Sequence, residues 1–405
     1  MKPHKNKVVS ALNLDAAGVE TIRPRIRSSL PRILLISTTS ILPYRVLRCA
    51  RASGALVFAL GNRGSQSLKY SRYCEQFILT EQPIDGTGGK ALADEINAQV
   101  ERLDIDVVLP GDAPATRSII LLRDHIRTKT FPLPKLEQFD LLNDKWDFHC
   151  VCKSLEIRVP DSRLFQSVEE LCSAIERKEV TPPVIAKPLS MDGGVGCVVV
   201  ELHNTKRQLK LIDYAPIIVQ RFVCGEDIGA GVLCNDGRVA AFIAHRYHHD
   251  TYQAFRDDMI YLDLEKLARR LELDGVFNFD MRRDSEGRVF YLECNPRFYF
   301  KIAMSMIAGV DFISLGLRSR SKAEGPVLCA SATVRFPKAL MFGLFARRKI
   351  DAKSWQALKF VLADPLPYIR EEVGLGAGRP WSRICVQPWQ PFTRRRDSQG
   401  GFIAE

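Results

Sequence analysis

From residue 32 onward the chain alternates short apolar runs with segments whose apolar positions recur at helical spacing. The run 33–36 ends in Ser37-Thr38-Thr39-Ser40, a helical pattern over 42–52 stops at Gly54, and a second apolar run covers 55–60. A helical pattern over 91–103 leads to a third run, 106–110, closed by Gly111-Asp112. Runs that are continuously apolar predict parallel strands buried on both faces, with helices covering them. No G-x-G-x-x-G follows the first run, so the dinucleotide fingerprint is missing and an NAD enzyme is not expected.

A different pattern starts near residue 140. A helix begins around Asn143-Asp144-Lys145-Trp146, and 167–177 forms another with Ser167 placed to cap it. Residues 184–188 and 197–201 read as strands joined by the turn Met191-Asp192-Gly193-Gly194-Val195-Gly196. Strands dominate from 217, interrupted by a helix over 264–271, and after Gly325 no nameable chemistry is found. Residues 276–283 and 288–295 flank Asp284-Ser285-Glu286-Gly287 and predict a hairpin. With Arg283 opposite Arg288, Asp280 faces Tyr291 and Asn278 faces Glu293. One face then gathers Phe277, Phe279, Met281, Phe290, Leu292 and Cys294, and the other Asn278, Asp280, Tyr291, Glu293 and Asn295. Asp280 and Glu293 become diagonal neighbours about 7 Å apart, within reach of one cation. Two carboxylates and an amide oxygen suit a hard ion such as Mg²⁺. The same alternation also fits a solvated outer face.

Lys187 closes an apolar strand, where an ammonium needs an anionic partner or exposure. The glycines that follow can offer N–H groups to a phosphate, although an ordinary hairpin turn has the same composition. Residues 219–223 run into Gly225-Glu226-Asp227, an extended segment able to meet a planar base, with a carboxylate for ribose hydroxyls. His245, Arg246, His248 and His249 read as a polar loop. No Cys or carboxylate completes a Zn site there, and Arg246 is the residue suited to a substrate carboxylate.

Taken in order, these segments resemble the ATP-grasp superfamily, most closely its carboxylate-amine ligase-like members, over residues 32–325. The resemblance is carried by Asn143-Asp144-Lys145-Trp146, Ile185-Ala186-Lys187-Pro188, Gly193-Gly194-Val195-Gly196, Val219-Gln220-Arg221-Phe222-Val223 with Gly225-Glu226-Asp227, Phe277-Asn278-Phe279-Asp280, and Leu292-Glu293-Cys294-Asn295-Pro296-Arg297. It implies an α/β chain with an N-terminal Rossmann-like parallel-sheet domain (32–139) and a two-lobed ATP-grasp domain. The small lobe would cover 140–218, and the C-terminal lobe with the Mg/ATP site 219–325. A basic extension (1–31), expected to be disordered, and a partly helical C-terminal extension with a mobile tail (326–405) would flank them.

The cofactors implied are ATP and Mg²⁺, with Mn²⁺ as an alternative ion. By the resemblance Lys145 and Lys187 contact ATP phosphates, with Lys187 also near the adenine, and Gly193, Gly194 and Gly196 form a lid. Gln220 would sit at the adenine amino group, Phe222 and Val223 would supply hinge contacts, and Asp227, with Glu226 as a second candidate, would hold the ribose. Asp280, Glu293 and Asn295 match the Mg²⁺ ligands. Arg297 would meet the acyl phosphate or a substrate carboxylate, so catalytic roles fall to Arg297 and Lys187. Tyr299-Phe300-Lys301 departs from relatives, which often carry small or hydroxyl residues there, and makes Lys301 a candidate for an acidic substrate. The activity implied is ADP-forming activation of a carboxylate as an acyl phosphate for capture by an amine. Another ATP-grasp activity (phosphotransferase or carboxylating ligase) and a catalytically silent ATP-binding protein stay open.

Composition narrows the partners. The 405 residues, 46% hydrophobic and 26% charged, are ordinary for a globular chain of more than one domain. Of the net +11, +8 falls in 1–32 and 339–353, a peripheral excess that does not suggest a nucleic-acid groove. The apolar stretch 339–346 is eight residues long, too short for the ~20 of a bilayer span and sufficient only for weak peripheral membrane contact. No apolar secretory core follows Lys2, Lys5 and Lys7, and the eleven Cys lack Zn or C-x-x-C spacing, so a cytoplasmic protein with reduced thiols is expected. The expected partners are small-molecule carboxylates and amines, with the oligomeric state open, a homodimer included.

Overall fold

The computed structural model describes residues 30–87, 89–190, 194–248, 250–318, 325–337 and 350–367. The basic extension up to residue 29, the basic apolar stretch 338–349 and the tail from 368 lie outside the described residues. Among the described residues no helix is long and apolar enough to cross a membrane.

The first sheet is parallel, in the order β3-β2-β1-β4-β5: β1 (Arg32–Ser37), β2 (Leu56–Gly61), β3 (Cys74–Leu79), β4 (Val107–Pro110) and β5 (Lys129–Thr130). Helices α1 (Ile41–Ala52), α2 (Lys90–Leu103) and α3 (Ala113–Leu122) connect its strands. The continuous apolar run of β1 has the expected cause. Ile33 and Leu35 enter one core with Leu47, whereas Leu34 and Ile36 enter another with Ile96 and Ile119, and all four are 0% exposed.

Helices α4 (Leu136–Asn143) and α5 (Lys145–Ser154) lead into an antiparallel sheet ordered β6-β9-β7-β8, from β6 (Ser162–Phe165), β7 (Val184–Pro188), β8 (Val198–Val200) and β9 (Ile217–Arg221). Asp144 caps α5 by accepting from the Trp146 and Asp147 N–H groups at 2.8 and 3.0 Å, which fixes Lys145 in the first helical turn. Ser167 caps α6 (Val168–Glu176) as expected, at 3.2 Å from the Glu170 N–H. The short helix α7 (Thr205–Leu209) packs beside β8.

The largest sheet runs β14-β13-β10-β11-β12-β16, with β15 against β11. Its strands are β10 (Glu226–Asn235), β11 (Arg238–His248), β12 (Thr251–Phe255), β13 (Gly275–Arg283), β14 (Val289–Asn295), β15 (Val327–Leu328) and β16 (Ala332–Arg335). The sheet therefore continues past Gly325. One face packs on α5 and α8 (Asp258–Leu271) through Phe277, Phe279, Met281 and Leu264. The other, through Ile243, Tyr252 and Ala254, meets α9 (Ile302–Ala308) and α1. Helix α8 starts six residues before the expected 264, because Asp257 caps it at Met259 and Ile260 (both 3.1 Å).

The strand pairing differs from expectation in two places. Asp280 lies directly opposite Glu293, not Tyr291, and Asn278 lies opposite Asn295, not Glu293. The connection is one residue longer than read, Arg283 pairing with Val289 around Asp284, which accepts from the Glu286 and Arg288 N–H groups. That extra residue puts Tyr291 with Phe279 and Met281 in the core and Phe290 on the opposite face beside Arg282, and a bulge at Leu292 then returns Glu293 and Asn295 to the face of Asp280. The second correction concerns His245, Arg246 and His248, which are not a loop. They form the end of β11, paired with β10 and β12, and His249 lies outside the described residues.

Candidate active site

Strand parity decides which candidate residues meet. In antiparallel pairs, directly opposed residues share a face. Asp280 is opposed by Gly229 and Glu293, and Gly229 by His245, so this row lies on one face with Asn278, Asn295 and the Asp227–Arg282 pair. Arg246 is opposed by Ile228, which is opposed by Met281, and this row belongs to the face buried on α8. Glu226, opposed by Arg283, shares that second face.

Arg246 therefore does not join the Asp280 site, against expectation. It donates to Glu226 at 3.2 Å and to Gln253 at 3.0 Å. Glu226 is engaged by Arg246 and, at 3.7 Å, by Arg283, which leaves Asp227 as the carboxylate on the site face. Asp227 is paired with the buried Arg282 at 3.2 Å.

On the site face, Asp280 accepts from the Asn278 and Asn295 amides at 3.2 and 3.1 Å. Asn295 in turn accepts from Arg297 Nη2 at 2.9 Å, and Arg297, itself buried, donates Nη1 to the Phe298 carbonyl at 3.1 Å. Burial, reinforced by the Glu293 carboxylate opposite, pushes Asp280 up to about 7. Burial acts to raise Glu293 too, but Lys145 and Lys187 outweigh it and hold this carboxyl below its usual value. Lys145 Nζ stands 3.4 Å from Glu293 Oε2. Lys187 is 6% exposed, and burial lowers its ammonium against the opposing pull of Glu293.

Lys187 and Gln220 come from one face of the small sheet, and Lys187 acts on Glu293 from there. Ile185 opposes Gln220 and Lys187 opposes Ile218, so Lys187 and Gln220 share the face opposite the core residues Ala186 and Val219. Gln220 is 2% exposed; its Nε2 donates to Ser162 at 3.3 Å, whereas its Oε1 has no hydrogen-bond partner. A buried carbonyl oxygen without a donor is unfavourable by about 1–3 kcal/mol unless a ligand supplies one. We expect Gln220→Leu to leave the apo protein's melting temperature unchanged or raised and to weaken ADP binding about tenfold, measured by calorimetry.

Of the hinge pair, the Phe222 N–H donates to Pro183 O at 3.3 Å and is not available to a base edge; Val223 is buried. The Phe222 ring lies under the Arg282 guanidinium, 5.2 Å away. Of the lid glycines, Gly194 and Gly196 take positive φ (73° and 76°), and the Gly196 carbonyl accepts from the Tyr214 hydroxyl at 2.6 Å. Gly193 lies outside the described residues.

Beside Asp280 the site face becomes aromatic. Gly229 and Gly231 leave room on β10 for two side chains to lie across it. A Cβ at Gly229 would stand 2.7 Å from His245 Nε2, and one at Gly231 would stand 2.4 Å from the Tyr299 hydroxyl. His245 stacks with Tyr252 (5.0 Å) and Tyr299 (6.1 Å), and both tyrosine hydroxyls meet Ser305, at 2.8 and 2.6 Å. Burial and Lys301 push His245 down to about 3, so its imidazole is neutral. Lys301 places its ammonium over the Tyr247 and Phe336 rings, at 5.3 and 4.6 Å.

Residues missed from sequence are Arg282, Tyr252 and Ser305. Arg282 had a signal, since it shares the parity of Asn278 and Asp280. Tyr252 and Ser305 had none, because only the packing of α9 on the sheet brings them together.

Residues 213–335 match the family model described as "ATP-grasp in the biosynthetic pathway with Ter operon". The chain is 23% identical over 235 residues to the arginine-specific large chain of carbamoyl phosphate synthase from Bacillus subtilis, covering 53% of this chain and 22% of that one. It is 27% identical over 163 residues to D-alanine–D-alanine ligase from Aquifex aeolicus, covering 36% of this chain and 55% of the ligase. It thus spans about a fifth and about half the length of these curated relatives. Among solved structures, N5-carboxyaminoimidazole synthetase from Staphylococcus aureus complexed with ADP superposes with a TM-score of 0.60 at 15% identity, over 78% of this chain and 86% of that one. The L-amino acid ligase from Bacillus licheniformis superposes with a TM-score of 0.52 at 14% identity, over 72% and 74%.

Proposed function

Because the chain belongs to the ATP-grasp superfamily and is carboxylate-amine ligase-like, we propose that it is an ADP-forming ligase that joins a carboxylate to an amine. The observation that carries this reading is the directly opposed pair Asp280 and Glu293, faced by the buried ammonium groups of Lys145 and Lys187. A carboxylate is inert toward an amine at neutral pH because it carries the wrong charge and has no leaving group. Transfer of the γ-phosphoryl group of ATP to the substrate carboxylate gives an acyl phosphate and ADP; the amine then displaces phosphate. Such a transfer asks a protein for positioning and charge neutralisation.

Each residue has a part in this reading. Lys145 and Lys187 neutralise phosphate oxygens, and Gln220 accepts from the adenine amino group through its unpaired Oε1. Asp227 takes the ribose, and Arg297 holds the carboxylate or acyl phosphate. The turn containing Gly194 and Gly196 keeps water from the acyl phosphate. Asp280 and Glu293 fit a divalent cation, because two half-buried carboxylates this close repel each other until a cation joins them, in keeping with an Asp280 raised by burial and by Glu293. Asn295 supplies a third oxygen only if its amide turns, since its carbonyl now faces Arg297. Mg²⁺ supplies charge for the phosphates, and Mn²⁺ fits the same oxygens. Cysteines that are free among the described residues, and a need for ATP, suit a cytoplasmic enzyme.

The test is an ADP-release screen of amino acids and small carboxylates, singly and paired with amines, with mass spectrometry of the products. An amide product with ADP and phosphate supports the reading. Phosphorylated or carboxylated products assign another ATP-grasp reaction, and nucleotide binding without ADP formation across the panel assigns a silent binder. Because a proton must leave Asp280 before a cation binds, Mg²⁺ affinity in the presence of ADP is expected to fall as pH drops below about 7, checked by calorimetry between pH 6 and 8.

A further inference from the structure

The aromatic wall beside Asp280 is flanked by two cations from distant parts of the chain. Lys301, at the start of α9, lies over Tyr247 and acts electrostatically on His245. Arg45, on α1, crosses from the parallel-sheet region and donates Nη1 to the Phe300 carbonyl at 2.6 Å, with its guanidinium 5.6 Å from the Phe300 ring. Tyr247, under Lys301, is 44% exposed, with its hydroxyl within the electrostatic reach of both Arg45 and Asp280. Among the described residues Arg45 contacts a backbone carbonyl and a ring but no carboxylate. Among the described residues, the groups around Tyr247 include the Arg45 guanidinium, the Lys301 ammonium and the neutral His245 imidazole, with Asp280 also acting on its hydroxyl.

We propose that Arg45 and Lys301 form a second anion subsite, so that the substrate activated beside Asp280 carries another anionic group at its far end. The inference rests on the proposed ligase reading and adds a substrate class to it. The activated carboxylate lies against Arg297, and the remote group is held across Tyr247 by a guanidinium from α1 and an ammonium from α9. Carboxylate and phosphate share the required chemistry, because both accept from a planar guanidinium through two oxygens.

Three probes that differ only in the remote group test this: butyrate, glutarate and 4-phosphonobutyrate, titrated by calorimetry into the full chain with saturating Mg·ADP. The expected result is that one or both dianions bind at least tenfold tighter than butyrate, and that Arg45→Gln and Lys301→Gln each remove most of that preference while Arg45→Lys keeps part of it. The tighter of the two dianions identifies the remote group as carboxylate or phosphate. Equal binding of all three probes to the unmodified chain overturns the proposal, and that result does not depend on whether a variant folds. A dianion preference untouched by both glutamine variants overturns it as well. The Mg·ADP titration that precedes the probes separates the two readings. Nucleotide binding without a dianion preference sinks the subsite alone, whereas failure to bind nucleotide sinks the ligase reading.

Discussion

Asp280→Asn and Glu293→Gln are each expected to lower ADP formation by about 10²–10³-fold or more while the chain keeps its fold, read by phosphate release and by melting temperature in the same preparations. Both replacements keep the shape of the side chain and remove one negative charge from a directly opposed pair. Neither carboxylate anchors the core, which lies on the other face at Phe277, Phe279 and Met281. The stability readout has a defined sign. Asp280 titrates higher in the folded chain, about 7, than its ordinary 3.8, so the folded state holds the extra proton between these values. Its contribution is complete below about pH 4 and is lost as pH rises through 7. In the absence of divalent cation, Asp280→Asn should therefore flatten the fall in melting temperature between pH 5 and 8, and Mg·ADP should restore stability to the unmodified chain but not to the variant. Near-normal turnover in both variants would remove these residues from the chemistry.

Lys187→Met should abolish turnover and weaken ADP binding at least about tenfold, yet leave the apo protein as stable as before or more so. The two effects have one origin. Burial depresses the Lys187 ammonium more than Glu293 supports it, so the charge is a liability until phosphates neutralise it. A lysine whose folded value lies below its unfolded one destabilises the fold at neutral pH, and that penalty fades as pH rises toward the ordinary 10.5. The stability gained by methionine should accordingly shrink between pH 7 and 10. Thermal melts across that range check it. A variant that loses several degrees at pH 7 and still turns over would mean that Lys187 braces the small sheet and plays no part with nucleotide.

How far the sequence carried this account depends on which residues are considered. The central strands β1, β2 and β4 of the parallel sheet were legible because Ile33–Ile36 and their counterparts are continuously apolar, as strands buried on both sides require, whereas the edge strands β3 and β5, with polar and exposed positions, were not. Lys145, Lys187, Gln220, Asp280 and Glu293 were legible as an ordered set of motifs, although each motif alone fits an ordinary turn or hairpin. Register was not. A single extra turn residue around Asp284 swapped the faces of Tyr291 and Phe290, a bulge at Leu292 returned Glu293 to the face of Asp280, and nothing in local composition announces either one. Arg246 looked suited to a substrate because guanidinium suits carboxylates in general. Which face it occupies is set by the pairing of β11 with β10, a long-range fact. Arg45 was invisible for a related reason, since its approach to Phe300 joins residues 255 positions apart.

The central claim is that Asp280 and Glu293 hold a divalent cation together with the nucleotide's phosphates. Its most direct test is Mn²⁺ binding followed by electron paramagnetic resonance, with and without ADP. One tightly held Mn²⁺ per chain is expected, which requires ADP, is displaced by Mg²⁺, and is lost in the Asp280→Asn, Glu293→Gln double variant. An ADP-dependent Mn²⁺ that binds the double variant as tightly as the unmodified chain would contradict it.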